Sequence, residues 1–321
     1  MMKHKLSLLL ASLMLANLLT GCGGEAPPSD DVTDTSAPDT SAPEADRKLT
    51  EVSDGYYLLD GIYIEDCTPI DEASVQRFAD KFTALRKKYF PDSNVWLTTI
   101  PDKSDFVKDQ LEESLDHAAV VKSLTTALPD WDYIELSDLL TLDDYYATDN
   151  HWRQENILPI VKRLGESMGF DFDESAFTSV AAGDAIGAYG YSVENLPAEA
   201  FSYLTSAAIE SAKIENMQRP ELTQVYDLGA LEKDFAAYDL FLGGASPIIN
   251  LKGSGEGSLV IFCDSFASSL TPLLLGSYSK ITLIDLRYMM SDLLPQYVRI
   301  GDADVLIMYC DRIVNNSLLL K

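Results

Sequence analysis

Three residues of this chain have the types and setting for nucleophilic chemistry: Ser265, His151 and Asp149. The segment Tyr145-Tyr146-Ala147-Thr148-Asp149-Asn150-His151-Trp152 places an acid and an imidazole two residues apart. Histidine is scarce, with His4, His117 and His151 making up the whole complement. His4 falls in an N-terminal stretch with the character of a removable signal, so a histidine base would be His117 or His151. His151 has the carboxylate of Asp149 beside it and an aromatic bracket. A serine hydroxyl is inert near neutral pH until a base takes its proton. A carboxylate on the far imidazole nitrogen fixes the tautomer and stabilises the imidazolium. Asp264-Ser265 follows the apolar run 259–262 and precedes a leucine-rich segment. A turn from strand to helix there would expose Oγ and aim free N–H groups at developing negative charge. The same residues also have a plain reading as helix caps, with Asp264 or Ser265 capping one helix and Thr148 or Asp149 another. Spacing alone leaves both readings open.

The elements that must position these residues read as alternating strands and helices. Asp54-Gly55 and Asp60-Gly61 punctuate a short hairpin. Residues 71–89 carry Val75, Phe78, Phe82, Leu85 and Tyr89 at helical spacing. Residues 95–100 read as a strand, 117–128 as a helix, 133–136 as a strand and 154–168 as a helix. After Gly253-Ser254-Gly255 the alternation continues, with strands at 259–262, 281–284 and 305–309 and helices at 266–278 and 290–298. Continuous apolar strands separated by helices predict an α/β fold, a parallel sheet covered on both faces. Ligands of such sheets sit at the carboxyl ends of the strands. The stretch of about 170–250 reads as an inserted, loop-rich subdomain.

Composition bounds the rest. Lys3 and Lys5 precede an apolar run over 6–19, then Leu19-Thr20-Gly21-Cys22. The run is short for a membrane span and fits a secretory signal. The Cys22 context resembles a lipobox, which would make Cys22 the lipidated first residue of the mature chain. Residues 23–48 are acidic and rich in Pro, Ser and Thr, and are expected to form a flexible linker. Residues 49–321 suffice for one large domain. A net charge of −27 argues against nucleic acid and against electrostatic attachment to anionic lipid. It suits a neutral glycan better than a polyanion. Cys67, Cys263 and Cys310 remain after Cys22; Cys263 and Cys310 end apolar runs, as buried thiols do, and a disulfide is the weaker reading. No Cys/His spacing suggests zinc, and no cofactor or metal is expected.

The order of motifs carries a family resemblance. Tyr-Tyr-x-x-Asp-x-His-Trp, Asp-Ser-Phe and Ile-Asp-Leu-Arg-Tyr (284–288), together with Ile100-Pro101-Asp102-Lys103, Gly187-Ala188-Tyr189-Gly190 and Phe241-Leu242-Gly243-Gly244, resemble the DHHW family. That family is related to the SGNH-hydrolase-like proteins that acetylate alginate. The resemblance spans about 54–317. It implies a flavodoxin-like (SGNH-hydrolase-like) fold with the Asp/His pair ahead of the serine, Ser265 as nucleophile, His151 as base and Asp149 as orienting acid. Asn150 departs from the family's first histidine. Cys263 stands where Gly-Asp-Ser hydrolases carry glycine. No Gly and Asn blocks for an oxyanion hole are evident, which leaves the N–H of Ser265 as the best donor. Tyr146, Trp152, Arg287 and Tyr288 are candidates for the substrate rim, and Arg287 could equally pair with Asp285.

The function implied is that of a lipid-anchored, extracytoplasmic serine acyl-ester enzyme, an O-acetyltransferase or acetylesterase on a cell-surface or exported polysaccharide. The partners would be a glycan acceptor and a membrane-bound acyltransferase, with attachment to the membrane through Cys22. The alternative is a non-catalytic lipoprotein of the same fold that binds glycan or such an acyltransferase. Geometry separates the two: the enzyme needs Ser265 Oγ within hydrogen-bond reach of His151, about 2.6–3.2 Å.

Overall fold

The computed structural model describes residues 48–321. The expected leader, Cys22 and nearly all of the linker lie outside the described residues. Twelve strands are described: β1 (Thr50–Ser53), β2 (Tyr56–Leu59), β3 (Ile62–Glu65), β4 (Val95–Ile100), β5 (Asp132–Tyr133), β6 (Thr178–Ala185), β7 (Glu199–Thr205), β8 (Lys213–Asn216), β9 (Ile248–Lys252), β10 (Ser258–Cys263), β11 (Lys280–Ile284) and β12 (Asp304–Cys310). The α-helices are α1 (Glu72–Tyr89), α2 (His117–Ala127), α3 (Leu158–Met168), α4 (Ala207–Ser211), α5 (Phe266–Leu270), α6 (Leu294–Tyr297) and α7 (Asp311–Val314).

The central sheet has the order β5-β4-β12-β10-β11-β9-β8. Pairing is parallel from β5 through β11 and antiparallel at the β9 and β8 edge. β10 and β12 lie in the middle and bury nearly every side chain, as strands covered on both faces must. Helices flank the sheet. α1 shows why: Asp71 caps its first turn by accepting from the N–H of Ala73 at 3.0 Å, and Val75, Phe78, Phe82 and Leu85 form its buried stripe. Phe78 and Phe82 meet Tyr309 of β12 edge-on and tilted, and Phe82 meets Phe262 of β10. Each such side chain stabilises the fold by about 1.5–3 kcal/mol through burial. Arg86, Lys87 and Lys88 in the last turn complement the negative end of the helix dipole.

Several elements differ from their sequence expectation; the helices expected over 154–168 and 290–298 both open as 3-10 turns. The helix expected over 266–278 stops as an α-helix at Leu270 and continues as a 3-10 turn over Thr271–Leu274, because Pro272 has no N–H to donate. The strand expected over 133–136 shrinks to β5, since Glu135 turns its carboxylate onto the N–H and hydroxyl of Ser137. The inserted stretch holds loops and the β6–β7 hairpin, but its β8 and β9 also extend the central sheet.

Candidate functional site

A turn after β10 and a loop that follows two 3-10 turns, Ser137–Leu139 and Leu142–Asp144, build the site, braced by a loop from the inserted stretch. β10 ends at Cys263 and hands over to Asp264-Ser265 at the carboxyl edge of the sheet. Asp264 fixes this turn: one oxygen accepts from the N–H of Phe266 at 3.0 Å, the other from the N–H of Cys310 at 2.7 Å. The second bond crosses to the end of β12, so the nucleophile turn is tied to the neighbouring strand. Ser265 has helical backbone angles and heads α5.

The loop after the two 3-10 turns carries Asp149 and His151. His151 Nδ1 lies 2.6 Å from Asp149 Oδ1, and His151 Nε2 lies 2.7 Å from Ser265 Oγ. Asp149 is 1% exposed and His151 8%. Asp149 also accepts from the backbone N–H of His151 at 3.1 Å and of Ala188 at 2.8 Å. Burial alone would raise its pKa, but the neighbouring imidazole and these N–H donors hold it below the ordinary carboxylate value. A carboxylate that stays ionised beside a histidine can hold the Nδ1 proton and leave Nε2 free to accept one from a hydroxyl.

Residues distant in sequence hold this loop. Glu199, at the start of β7, accepts from the N–H groups of Ala147 and Thr148, from the Thr148 hydroxyl and from Arg153. The N–H of Gly187 donates to Thr148 Oγ1 at 2.8 Å. A Cβ at Gly187 would come within 2.5 Å of Asp149 Cβ and 2.6 Å of the Thr148 carbonyl, so the position has room only for glycine. Lys103 is buried and donates to the carbonyls of Tyr63, Tyr146 and Asp149 at 2.5, 2.8 and 3.0 Å. Burial pushes its pKa down to about 7, against the pull of Asp149 and Glu199. The neighbouring Asp102 is ion-paired with Arg312, which also binds Glu65. The blocks 100–103 and 187–190 thus brace the acid loop from two sides.

Tyr238 covers the imidazole. Its ring stacks on that of His151 with centroids 3.7 Å apart and planes 3° from parallel. Its hydroxyl donates to Ser269 Oγ at 2.7 Å, where Trp152 Nε1 also donates at 2.8 Å. Trp152 meets Phe266 edge-on. His151 is therefore held in its plane by stacking and in its direction by the carboxylate.

The site opens into a cleft of about 210 Å³ whose lining includes His151, Tyr238, Asp239, Gly244, Ser265 and Arg287. A larger cavity of about 380 Å³ lies elsewhere, beside Tyr203 and Tyr226; it contains none of the three candidate catalytic residues. Arg287 and Tyr288, two of the rim candidates, line this cleft. Arg287 is at the same time locked to Asp285 by two bonds, Nε to Oδ1 at 3.0 Å and Nη2 to Oδ2 at 2.7 Å. Tyr146 and Trp152, the other rim candidates, do not reach the cleft: both are fully buried. Tyr146 stacks on Phe201 at 4.2 Å and Trp152 turns under α5. Adjacency to His151 in sequence did not fix the direction of either side chain. Cys67, Cys263 and Cys310 are free thiols. Tyr238, Asp239, Glu199 and Lys103 escaped the sequence reading of the site; the blocks 100–103 and 241–244 lay beside three of them.

No protein-family model and no curated protein matches the chain. Solved structures do. A DHHW family protein from Eubacterium siraeum is 18% identical with a TM-score of 0.68, over 85% of this chain and 98% of that one. PatB1 from Bacillus cereus, with a sulfonyl adduct, is 15% identical with a TM-score of 0.61, over 85% and 98%. The O-acetyltransferase domain of Pseudomonas putida AlgJ is 11% identical with a TM-score of 0.46, over 84% and 93%. At the first two of these scores the likeness is one of fold over nearly the whole of both partners. The chain thus has the SGNH-hydrolase-like α/β fold of a DHHW family protein and of PatB1.

Proposed function

We propose that this chain is a serine acyl-ester enzyme in which Ser265 is the nucleophile, His151 the base and Asp149 the orienting acid. One observation carries the reading: Ser265 Oγ, His151 Nε2, His151 Nδ1 and Asp149 Oδ1 form an unbroken relay of 2.7 and 2.6 Å contacts at the floor of a cleft. Simple helix capping would not require it. Ser265 makes no capping bond with its side chain and instead meets the imidazole.

In the forward half-reaction Ser265 Oγ attacks the carbonyl carbon of an acetyl ester while His151 Nε2 takes the hydroxyl proton. The tetrahedral intermediate collapses, the ester C–O bond breaks, and His151 returns the proton to the departing alkoxide. A sugar hydroxyl or water then gives its proton to His151 and attacks the acetyl-serine, which releases Ser265. Asp149 stabilises the imidazolium in both halves. The N–H of Ser265, unbonded among the described residues, is the first oxyanion donor. Capture by a sugar makes the enzyme an O-acetyltransferase; capture by water makes it an esterase.

The setting we propose is the extracytoplasmic face of a membrane, with attachment through a lipid on Cys22, a glycan as acceptor and a membrane-bound acyltransferase as partner. Among the described residues no helix is long and apolar enough to cross a membrane. The likeness to PatB1, solved with a sulfonyl adduct, agrees with an activated nucleophile in this fold. The test is hydrolysis of 4-nitrophenyl acetate by the parent and by Ser265→Ala, with labelling by a sulfonyl fluoride followed by mass spectrometry. The expected result is turnover and a single adduct on Ser265 in the parent and neither in the variant. Equal turnover by both proteins would overturn the assignment.

A further inference from the structure

The cleft contains one carboxylate that the reaction above does not use. Asp239 follows Tyr238, the ring stacked on His151, and lines the same cleft as Ser265. It is half-buried, yet its side chain makes no hydrogen bond or ion pair with the described residues. The nearest cations are committed elsewhere: Arg219 and Lys233 both reach Asp227, at 3.1 and 3.5 Å. Across the cleft, Arg287 is held by Asp285 through its bidentate contact. The wall behind Asp239 is equally specific. Gly244 has φ +87, and a Cβ there would lie within 2.5 Å of Asp239 Oδ1. Leu242, just before it, is held at φ 60, a conformation that costs a non-glycine residue about 1 kcal/mol or more. The carboxylate packs against Gly244 and lines the cleft that holds the nucleophile, without a protein donor among the described residues.

We propose that Asp239 is a specificity-determining residue that accepts a hydrogen bond from a ring hydroxyl of a neutral glycan and excludes uronate rings from the cleft. An ionised carboxylate is an acceptor only, so the group it lacks is a donor. Sugar hydroxyls supply donors in quantity, and charge-assisted bonds to them are strong. A sugar carboxylate in the same place would face Asp239 and the buried Asp149 with the cleft's guanidinium already paired, and like charges so placed repel. Half-burial raises the pKa of Asp239 above the ordinary value, with Lys233 and His151 acting the other way, which fits a carboxylate awaiting a donor.

This inference rests on the reading of the cleft as a glycan acyl-transfer site, but its test does not depend on turnover. Binding is measured by calorimetry at pH 8 with the full chain carrying Ser265→Ala, against maltotetraose and against tetragalacturonate. The expected result is at least tenfold tighter binding of the neutral tetrasaccharide. Adding Asp239→Asn should narrow that ratio threefold or more, whereas Asp239→Glu should retain most of it; a melting curve for each variant checks folding. Rising salt should narrow the ratio more in the parent than in Asp239→Asn, because part of the screened repulsion comes from this carboxylate. Equal affinities in the parent, a ratio untouched by Asp239→Asn, or no binding of maltotetraose would overturn the inference. Failure of Ser265-dependent ester turnover would overturn the enzyme and leave this binding preference standing.

Discussion

Two histidine–carboxylate pairs stand among the described residues, and they teach opposite lessons. His151 meets Asp149 at 2.6 Å on one side and the Ser265 hydroxyl at 2.7 Å on the other, beside an open cleft. His117 meets Asp311 at 2.8 Å and has Glu135 3.6 Å from its other nitrogen, beyond hydrogen-bond length but within ion-pair range. The second pair is buried where α2 meets α7, with acids on both sides of the ring and no nucleophile at either nitrogen. Burial would lower the pKa of His117, but Asp311 and Glu135 raise it to about 10. The two carboxylates favour the charged imidazole, which ties α2 to α7. The same residue types are placed for a proton relay or for a fastener according to what stands on the far nitrogen.

Breaking the relay should produce the largest effect. Asp149→Asn should lower kcat for an activated acetyl ester by roughly 10³–10⁴-fold, because the amide holds the wrong tautomer, with little change in melting temperature. Stopped-flow or plate assays of the purified variant check this. Breaking the fastener should act on stability instead. His117→Gln leaves Asp311 buried without a counter-charge, and losing one partner of a buried pair costs about 3–5 kcal/mol. Denaturant titration reads that loss, and activity per folded molecule should stay within a few-fold of the parent.

The fastener also has a pH signature. The folded pKa of His117 is raised to about 10, above the unfolded value of about 6.5. Its stabilisation is therefore fully present below pH 6.5 and is lost as pH rises toward 10. The stability gap between the parent and His117→Gln should narrow over that window, and a gap that widens with pH would contradict the assignment. Gly187→Ala sharpens the comparison from the other side. It pushes on Asp149 Cβ and the Thr148 carbonyl, so kcat should fall roughly tenfold to a hundredfold, as small misplacements do. The smallest effect expected is that of Tyr238→Phe. It removes one donor to Ser269 while Trp152 keeps the other, a loss of about 0.5–1.5 kcal/mol in stability, and the stacked ring stays over His151.

Sequence made the parts of the site that are local to a turn legible. Asp149 and His151 are near neighbours, and Ser265 follows an apolar strand, so spacing and strand periodicity marked them as candidates, and the family resemblance assigned them roles. The sheet was legible for the same reason: β10 and β12 are apolar after their first residue, and β4 and β11 are mostly apolar. What depended on side-chain direction was not. Tyr146 and Trp152 flank the acid–imidazole pair in sequence but face the core, while Tyr238, far along the chain, supplies the ring that covers His151. Asp239 and Glu199 sit in polar, loop-rich sequence, where no periodicity marks one acid from its neighbours. His117 looked unpartnered because Asp311 comes to it from the far end of the chain.

The central claim is that Ser265 and His151 act as one unit in acyl transfer. The most direct measurement is a double-variant cycle on acetyl ester turnover with Ser265→Ala, His151→Ala and the two combined. Residues of one relay lose their effect together, so the account predicts that the double variant is about as inactive as either single one. Losses that multiply in the double variant, or single variants that retain parental turnover, would contradict it.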